Sequence, residues 1–308
     1  MRFEAPHERE AEERAWQVVG AAYESRVPVT WPRRHARPLI AGALVAAVVA
    51  AALSPPGRSV VHSLRKAVGV EHARTELFSL PAPGRLLVSG RGGTWIVNAD
   101  GSKRRLGAYR DAAWSPHGLF VAATRANELV ALDPKGNVRW TLPRRSPRFP
   151  AWTGTRMDTR VAYLAGGRLH VVAGDGTDDR TVGPAALVPP VWLPGRVVVY
   201  SNRRRLVAYD TTSGTALRTV ALPRTGLSIR KRAGQSEVVY RGRVVFRGTG
   251  VFGQVTRSPN GRWLLVTWPT ADQWVFVRVQ GGRRIVGASR ITGQFGGFPR
   301  LEGWCCAP

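Results

Sequence analysis

Cysteine is nearly absent: Cys305 and Cys306 are the only two, side by side at the C-terminal end of 308 residues. No Cys-x-x-Cys spacing exists for a zinc ribbon or a redox pair, and no long-range disulfide can brace a fold within one chain. A vicinal bridge, a link between two chains and idle thiols remain open, with idle or structural thiols the default expectation. Histidine is scarce, and no Gly-x-Ser-x-Gly elbow, Walker loop or His-Glu-x-x-His appears, so the commonest hydrolase, nucleotide and zinc-protease signatures are missing. Acidic residues number 20 against 46 basic ones. That shortage leaves few carboxylates for acid–base chemistry, and no metal ligand set or small-molecule cofactor is indicated.

The basic excess gives a formal net charge of +26, nearly all of it Arg; only Lys66, Lys103, Lys135 and Lys231 are Lys. One reading is an anionic partner such as nucleic acid, acidic lipid or a cell-wall polymer. The other is a proteome-wide preference for Arg that loads every solvated face, and the dispersal of the arginines along the chain favours it. Three clusters would carry an anion site if there is one: Arg203, Arg204 and Arg205; Arg230, Lys231 and Arg232; and Arg283 with Arg284. Solvated strand turns are the competing reading for all three.

What is present divides the chain into four parts. Residues 1–37 contain an amphipathic helical pattern over 3–25, with Glu8, Glu10, Glu12 and Glu13 polar and Trp16, Val19 and Tyr23 apolar. Residues 38–57 carry no charge, and a helix of that length would cover about 30 Å, the thickness of the hydrocarbon core. A single transmembrane helix is therefore expected there, with a cleaved signal segment and a buried soluble helix as the alternatives. Arg26, Arg33, Arg34 and Arg37 before the segment outnumber Arg58, Arg65 and Lys66 after it by one charge, and the tight Arg33–Arg37 cluster favours a cytoplasmic N-terminus with the large domain outside. Residues 58–75 read as a juxtamembrane linker helix at the interface.

From residue 76 to 308 short apolar runs alternate with Gly, Pro, Asn and Asp turns, drawing on most of the 34 glycines and 22 prolines. The pattern is all-β. Openings recur at Trp114, Trp152 and Trp192, 38 and 40 residues apart, a period that means stacked repeats. Each opening is followed by about three strands. The next opening, around Ser228–Arg230, is degraded. Ser258-Pro259-Asn260-Gly261 restores the pattern, and Phe298-Pro299-Arg300-Leu301 echoes Phe149-Pro150-Ala151-Trp152.

These residues resemble the WD-repeat-like β-propellers, including the TolB-type subset whose blades open with Trp-Ser-Pro-Asp-Gly. Trp114-Ser115-Pro116-His117-Gly118 matches with His for Asp, and Arg257–Gly261 with Arg for Trp and Asn for Asp. The resemblance spans about residues 76–308 and implies a propeller of about six blades. The repeat residues Trp114, Pro116, Gly118, Trp152, Trp192, Gly195, Pro259 and Gly261 are then structural: Trp between blades, Pro setting turns, Gly at positive φ. The first unit lacks an opening strand, so the C-terminal segment is expected to supply it and close the ring.

Within this frame His117 and His170 fall in different blades, Asp175, Asp178 and Asp179 form an acidic cluster that could hold calcium but better suits an Asx-type turn, and Asp111, Asp158 and Asp272 are candidates for the channel wall. The functional expectation is a membrane-anchored, non-enzymatic module that binds a protein partner. The alternatives are a basic propeller holding an anionic polymer and, third, a propeller hydrolase or lyase.

Overall fold

The computed structural model describes residues 73–74, 79–155, 157–193, 197–202, 205–217, 226–232 and 234–306. The expected segments 1–37 and 38–57, and most of 58–75, lie outside the described residues. Among those described, no helix is long and apolar enough to cross a membrane.

The described chain is almost wholly β. Strand β1 is Ala73–Arg74, followed by β2 (Arg85–Gly90), β3 (Gly93–Val97) and β4 (Lys103–Gly107). Next come β5 (Ala112–Trp114), β6 (Val121–Thr124), β7 (Glu128–Leu132), β8 (Val138–Pro143), then β9 (Arg148–Gly154), β10 (Thr159–Ala165), β11 (Arg168–Ala173) and β12 (Arg180–Pro184). The series continues with β13 (Val191–Leu193), β14 (Val197–Asn202), β15 (Arg205–Asp210), β16 (Thr215–Leu217), then β17 (Leu227–Arg232), β18 (Gln235–Tyr240) and β19 (Arg243–Thr249). It ends with β20 (Val255–Arg257), β21 (Trp263–Trp268), β22 (Gln273–Arg278), β23 (Ile285–Ser289), a one-turn helix α1 (Ile291–Phe295) and β24 (Arg300–Cys305).

Six sheets result, each an antiparallel meander. In chain order they are β24-β2-β3-β4, β5 to β8, β9 to β12, β13 to β16, the three-stranded β17 to β19, and β20 to β23 with β1 added parallel on β23. The strand missing from the first sheet comes from the other end of the chain: β24 pairs with β2 in the register Leu86↔Trp304 and Leu87↔Gly303. The opening strands also touch one another. β24 lies against β5 on one side and β20 on the other; β5 lies against β9, β9 against β13, and β20 against β17.

Sequence shows why the sheets stack. In β21 all six residues are buried, as are five of six in β22, the signature of strands covered on both faces. Successive residues feed different cores. Val121, Ala123 and Val130 pack with Leu87 and Ile96 of the first sheet, whereas Ala122 and Leu129 pack with Val161 and Tyr163 of the third. The opening tryptophans sit in these layers: Trp114 against the first–second core, Trp152 against the second–third, Trp192 against the third–fourth. Indole N–H groups stitch neighbours together, Trp140 donating to Gly174 O at 2.8 Å, Trp192 to Ala151 O at 2.8 Å and Trp268 to Thr249 O at 3.0 Å. Gly176 has φ +90°, and a Cβ there would come within 2.9 Å of the Trp140 ring, so the turn carries glycine for both backbone and space.

The two Ser-Pro turns are built alike. Ser115 N–H donates to Phe120 O at 2.9 Å and its hydroxyl accepts from Phe120 N–H at 3.0 Å. Ser258 repeats this with Trp263 at 2.8 and 3.0 Å. Gly118 and Gly261 close the turns with φ of +65° and +69°.

Three readings change. The degraded opening at Ser228–Arg230 is a full six-residue strand, β17, because its outward Arg and Lys positions cost nothing in solvent while Leu227 and Ile229 pack inward. Strand β23 and α1 were not marked by the repeat; Ile291 and Phe295 make α1 a plug of the first–sixth core. Cys305 and Cys306 are joined as a vicinal disulfide, with sulfurs 3.7 Å from Ser115 O and 3.5 Å from Pro116 O.

Candidate functional site

The opening strands begin with charged residues where their ends converge. Asp111 precedes β5 and is held by Thr124 of β6, whose backbone N–H donates to Asp111 O at 2.9 Å. Arg148 opens β9, and Phe149 takes a left-handed φ of +50°. Phe149 N–H reaches Asp111 Oδ2 at 3.2 Å, beside the 2.7 Å bond from Arg148 Nε. Arg300 opens β24 and donates through Nη2 to Asp111 Oδ1 at 2.7 Å, to Glu302 Oε1 at 2.6 Å and to Arg110 O at 3.0 Å. Gln254, just before β20, mimics a strand: its Oε1 accepts from Leu301 N–H at 2.8 Å and its Nε2 donates to Leu301 O at 2.9 Å.

Four sheets thus meet in one polar cluster at the edge of a cavity of about 580 Å³. Its wall includes Trp114, Trp152, Trp192 and Trp304, with Val191 half exposed at 46%. Burial works against ionising Asp111, but the hydrogen bonds from Arg148, Phe149 N–H and Arg300 outweigh it and hold the carboxyl below its ordinary value. Burial dominates at Glu302 and raises its pKa despite Arg300. For Arg300 burial disfavours the charge, yet Glu302 and Asp111 raise its pKa overall. Two carboxylates face two guanidiniums, so the charges are matched, and the Ser89 hydroxyl also hydrogen-bonds the Glu302 carboxyl.

A second cluster bridges the second and third sheets. Tyr163 OH donates to Asp179 Oδ1 at 2.6 Å, Arg144 Nε donates to Asp179 Oδ2 at 3.0 Å, and His170 Nδ1 lies 3.7 Å from that oxygen. Burial first, then Asp179, pushes the fully buried Tyr163 phenol above its ordinary range; burial lowers His170. The cluster ties the end of β8 to β10, β11 and the start of β12.

The sequence-predicted residues separate. Asp111 does border the cavity, but Asp158 lines a different groove of about 780 Å³ with His117, exposed Leu119 and exposed Met157. Asp272 instead accepts from Thr292 N–H at 2.7 Å and Thr292 Oγ1 at 2.6 Å at the start of α1. Asp175 makes the expected turn bonds to Thr177, whereas Asp179 leaves the turn for the buried cluster, because Arg144 from the neighbouring sheet compensates its charge. His170 joins that cluster and His117 does not. Among the described residues no group of three or more His, Cys, Asp or Glu could hold a metal ion. Arg230, Lys231 and Arg232 are exposed on β17. Arg203, Arg204 and Gly195 lie outside the described residues, as does the side chain of Arg205. Arg148, Gln254, Arg300 and Glu302 escaped sequence reasoning; the only signal was the shared Arg/Pro-rich lead into β9 and β24.

No protein-family model matches the chain, and no curated protein matches it. Solved structures do. A dihydro-heme d1 dehydrogenase in complex with DHE is similar at 14% identity, over 70% of this chain and 66% of that one, with a TM-score of 0.44. A chain of a nidogen/laminin complex is similar at 14% identity over 66% of this chain and 97% of that one, TM-score 0.40. A β-propeller domain of Cps50 (Swd1) from Myceliophteria thermophila is similar at 12% identity over 60% and 74%, TM-score 0.36.

Proposed function

We propose that this chain is a membrane-tethered, non-enzymatic propeller of six blades that binds a protein partner at the mouth of its central cavity. The carrying observation is the lining of that cavity, which draws on the opening strands of the second, third, fourth and first sheets and on Gln254 at the entry to the sixth. A site assembled from several blades is rigid because each wall residue is fixed by its own sheet. The last strand of the chain, β24, supports closure by occupying the inner position of the first sheet. The ion pairs of Asp111 with Arg148 and Arg300, and of Glu302 with Arg300, support a preorganised binding surface.

The tether is the uncharged segment 38–57, with the blades outside the cytoplasm. A photo-crosslinking residue in place of Val191, at the cavity rim, should yield a defined partner adduct in intact cells. The same residue in place of exposed Leu206 should not. Equal adducts from both positions, or none from Val191, would remove the cavity from consideration. Protease added to intact cells should strip a C-terminal tag and spare an N-terminal one; the reverse pattern would put the blades in the cytoplasm.

A further inference from the structure

Among the described residues the fifth sheet has fewer strands than its neighbours. It has three, where the first to fourth have four each and the sixth has five. The sixth gains its fifth from an extended segment, Ala73–Arg74, laid parallel against β23. On the fifth sheet the corresponding outer strand is β19, and after Thr249 the chain passes to β20 at Val255, leaving too few residues to return as a strand.

Charge across this sheet is ordered. Arg230 of β17 stands opposite Glu237 of β18, and Glu237 stands opposite Arg247 of β19. Arg247 Nε bonds Glu237 Oε1 at 2.9 Å, with the arginine side chain 63% exposed. The row therefore reads plus, minus, plus and stops on a cation at the open edge. Opposite charges on adjacent strands stabilise a pair and like charges oppose it, so the next strand in the row should carry an acid. Val244, on the same face of β19 as Arg247, is 39% exposed, while Arg243 is exposed on the other face, opposite Tyr240. Residues 218–225 of this chain contain Arg218 and Arg224 and no acid, so they do not complement the row.

We propose that β19 takes an extended acidic segment of a partner protein as the fourth strand of the fifth sheet. Backbone hydrogen bonds from the edge supply affinity, and a carboxylate facing Arg247 supplies selectivity. This surface is separate from the cavity, and neither reading depends on the other. The same basic border would attract any polyanion; the open edge and the alternating row distinguish a strand from a merely charged ligand.

The test uses the full chain in nonionic detergent and fluorescent heptapeptides of alternating Thr and Glu, or Thr and Lys. The Thr-Glu peptide should bind, and the Thr-Lys peptide should bind at least roughly tenfold more weakly. Methylating alternate peptide nitrogens should abolish binding in one of the two possible sets and spare it in the other, since only every second N–H faces an edge. Arg247→Glu, checked for unchanged melting, should weaken the Thr-Glu peptide about tenfold and favour Thr-Lys. Binding that tolerates both methylation sets, no binding of Thr-Glu, or tighter binding of a single-stranded oligonucleotide with the same arginine dependence would overturn the proposal.

Discussion

The two flanks of the fifth sheet are unlike. Towards the sixth sheet, Val238, Tyr240 and Phe246 interlock with Phe252, Leu264, Val266 and Trp268, and the Trp268 indole is bonded to Thr249. The opposite face carries, in register, Ser228, Val239 and Val244, then Arg230, Glu237 and Arg247, then Arg232, Gln235 and Thr249, with Val239 and Glu237 buried. The fourth sheet answers with a small cluster of its own, Leu193, Val199 and Ala208 with Leu217. Among the described residues, apolar clusters join the first sheet to the second, second to third, third to fourth, fifth to sixth and sixth to first, but none joins fourth to fifth. Apolar burial is the dominant favourable term between layers, so among the described residues the same repeat shows five cohesive junctions and one without a shared apolar cluster. A polar face at one junction leaves room for specificity that a core cannot offer, because cores reward volume and not identity.

Cutting the strand that links the two chain ends should have the largest effect. Removing Phe298–Pro308 strips Leu301 and Trp304 from the first–sixth core and the ladder from β2. The expected product is unfolded or aggregated, read by circular dichroism and size exclusion; a monomer with unchanged melting would show that the chain ends do not hold the sheets together. Next come core truncations on the cohesive side. Trp274→Ala, at a fully buried position, should cost about 3–5 kcal/mol, whereas Arg230→Ala on the polar flank should stay within about 0.5 kcal/mol, both by denaturant melts. Comparable losses would mean the polar flank is packed after all.

Asp111→Asn should cost roughly 2–3 kcal/mol, below the range for a fully buried pair because Arg300 is 41% exposed. The effect should depend on pH in a set direction. The folded carboxyl titrates below its ordinary value, so its stabilisation is complete above about pH 4 and fades as pH falls through the depressed value. The melting gap between native chain and variant should therefore narrow in acid; a gap that widens there would contradict the bonds to Arg148 and Arg300. The smallest and most local signal is hydrogen exchange: β17 amides should exchange faster than those of β10, whose two faces feed two cores. Equal protection would level the comparison.

Sequence alone determined most of the strands and the period that groups them, though not β23 or the full length of β17. Trp114, Trp152 and Trp192 mark three openings, the two Ser-Pro-x-Gly turns mark identical hairpins, and Phe298–Leu301 announces the strand that joins the first sheet, because turn chemistry and alternation are local. Tertiary structure decided the rest. Asp179 reads as a turn residue until Arg144 and Tyr163 arrive from elsewhere. Asp272 reads as a channel acid until α1 places Thr292 over it. Arg148, Gln254, Arg300 and Glu302 form one cluster only when four sheets bring their strand ends together, across as many as 189 residues for Arg300 and Asp111. Local propensity writes each strand, but the field around a charge is set by whichever strand lies across from it, and that neighbour is distant in sequence.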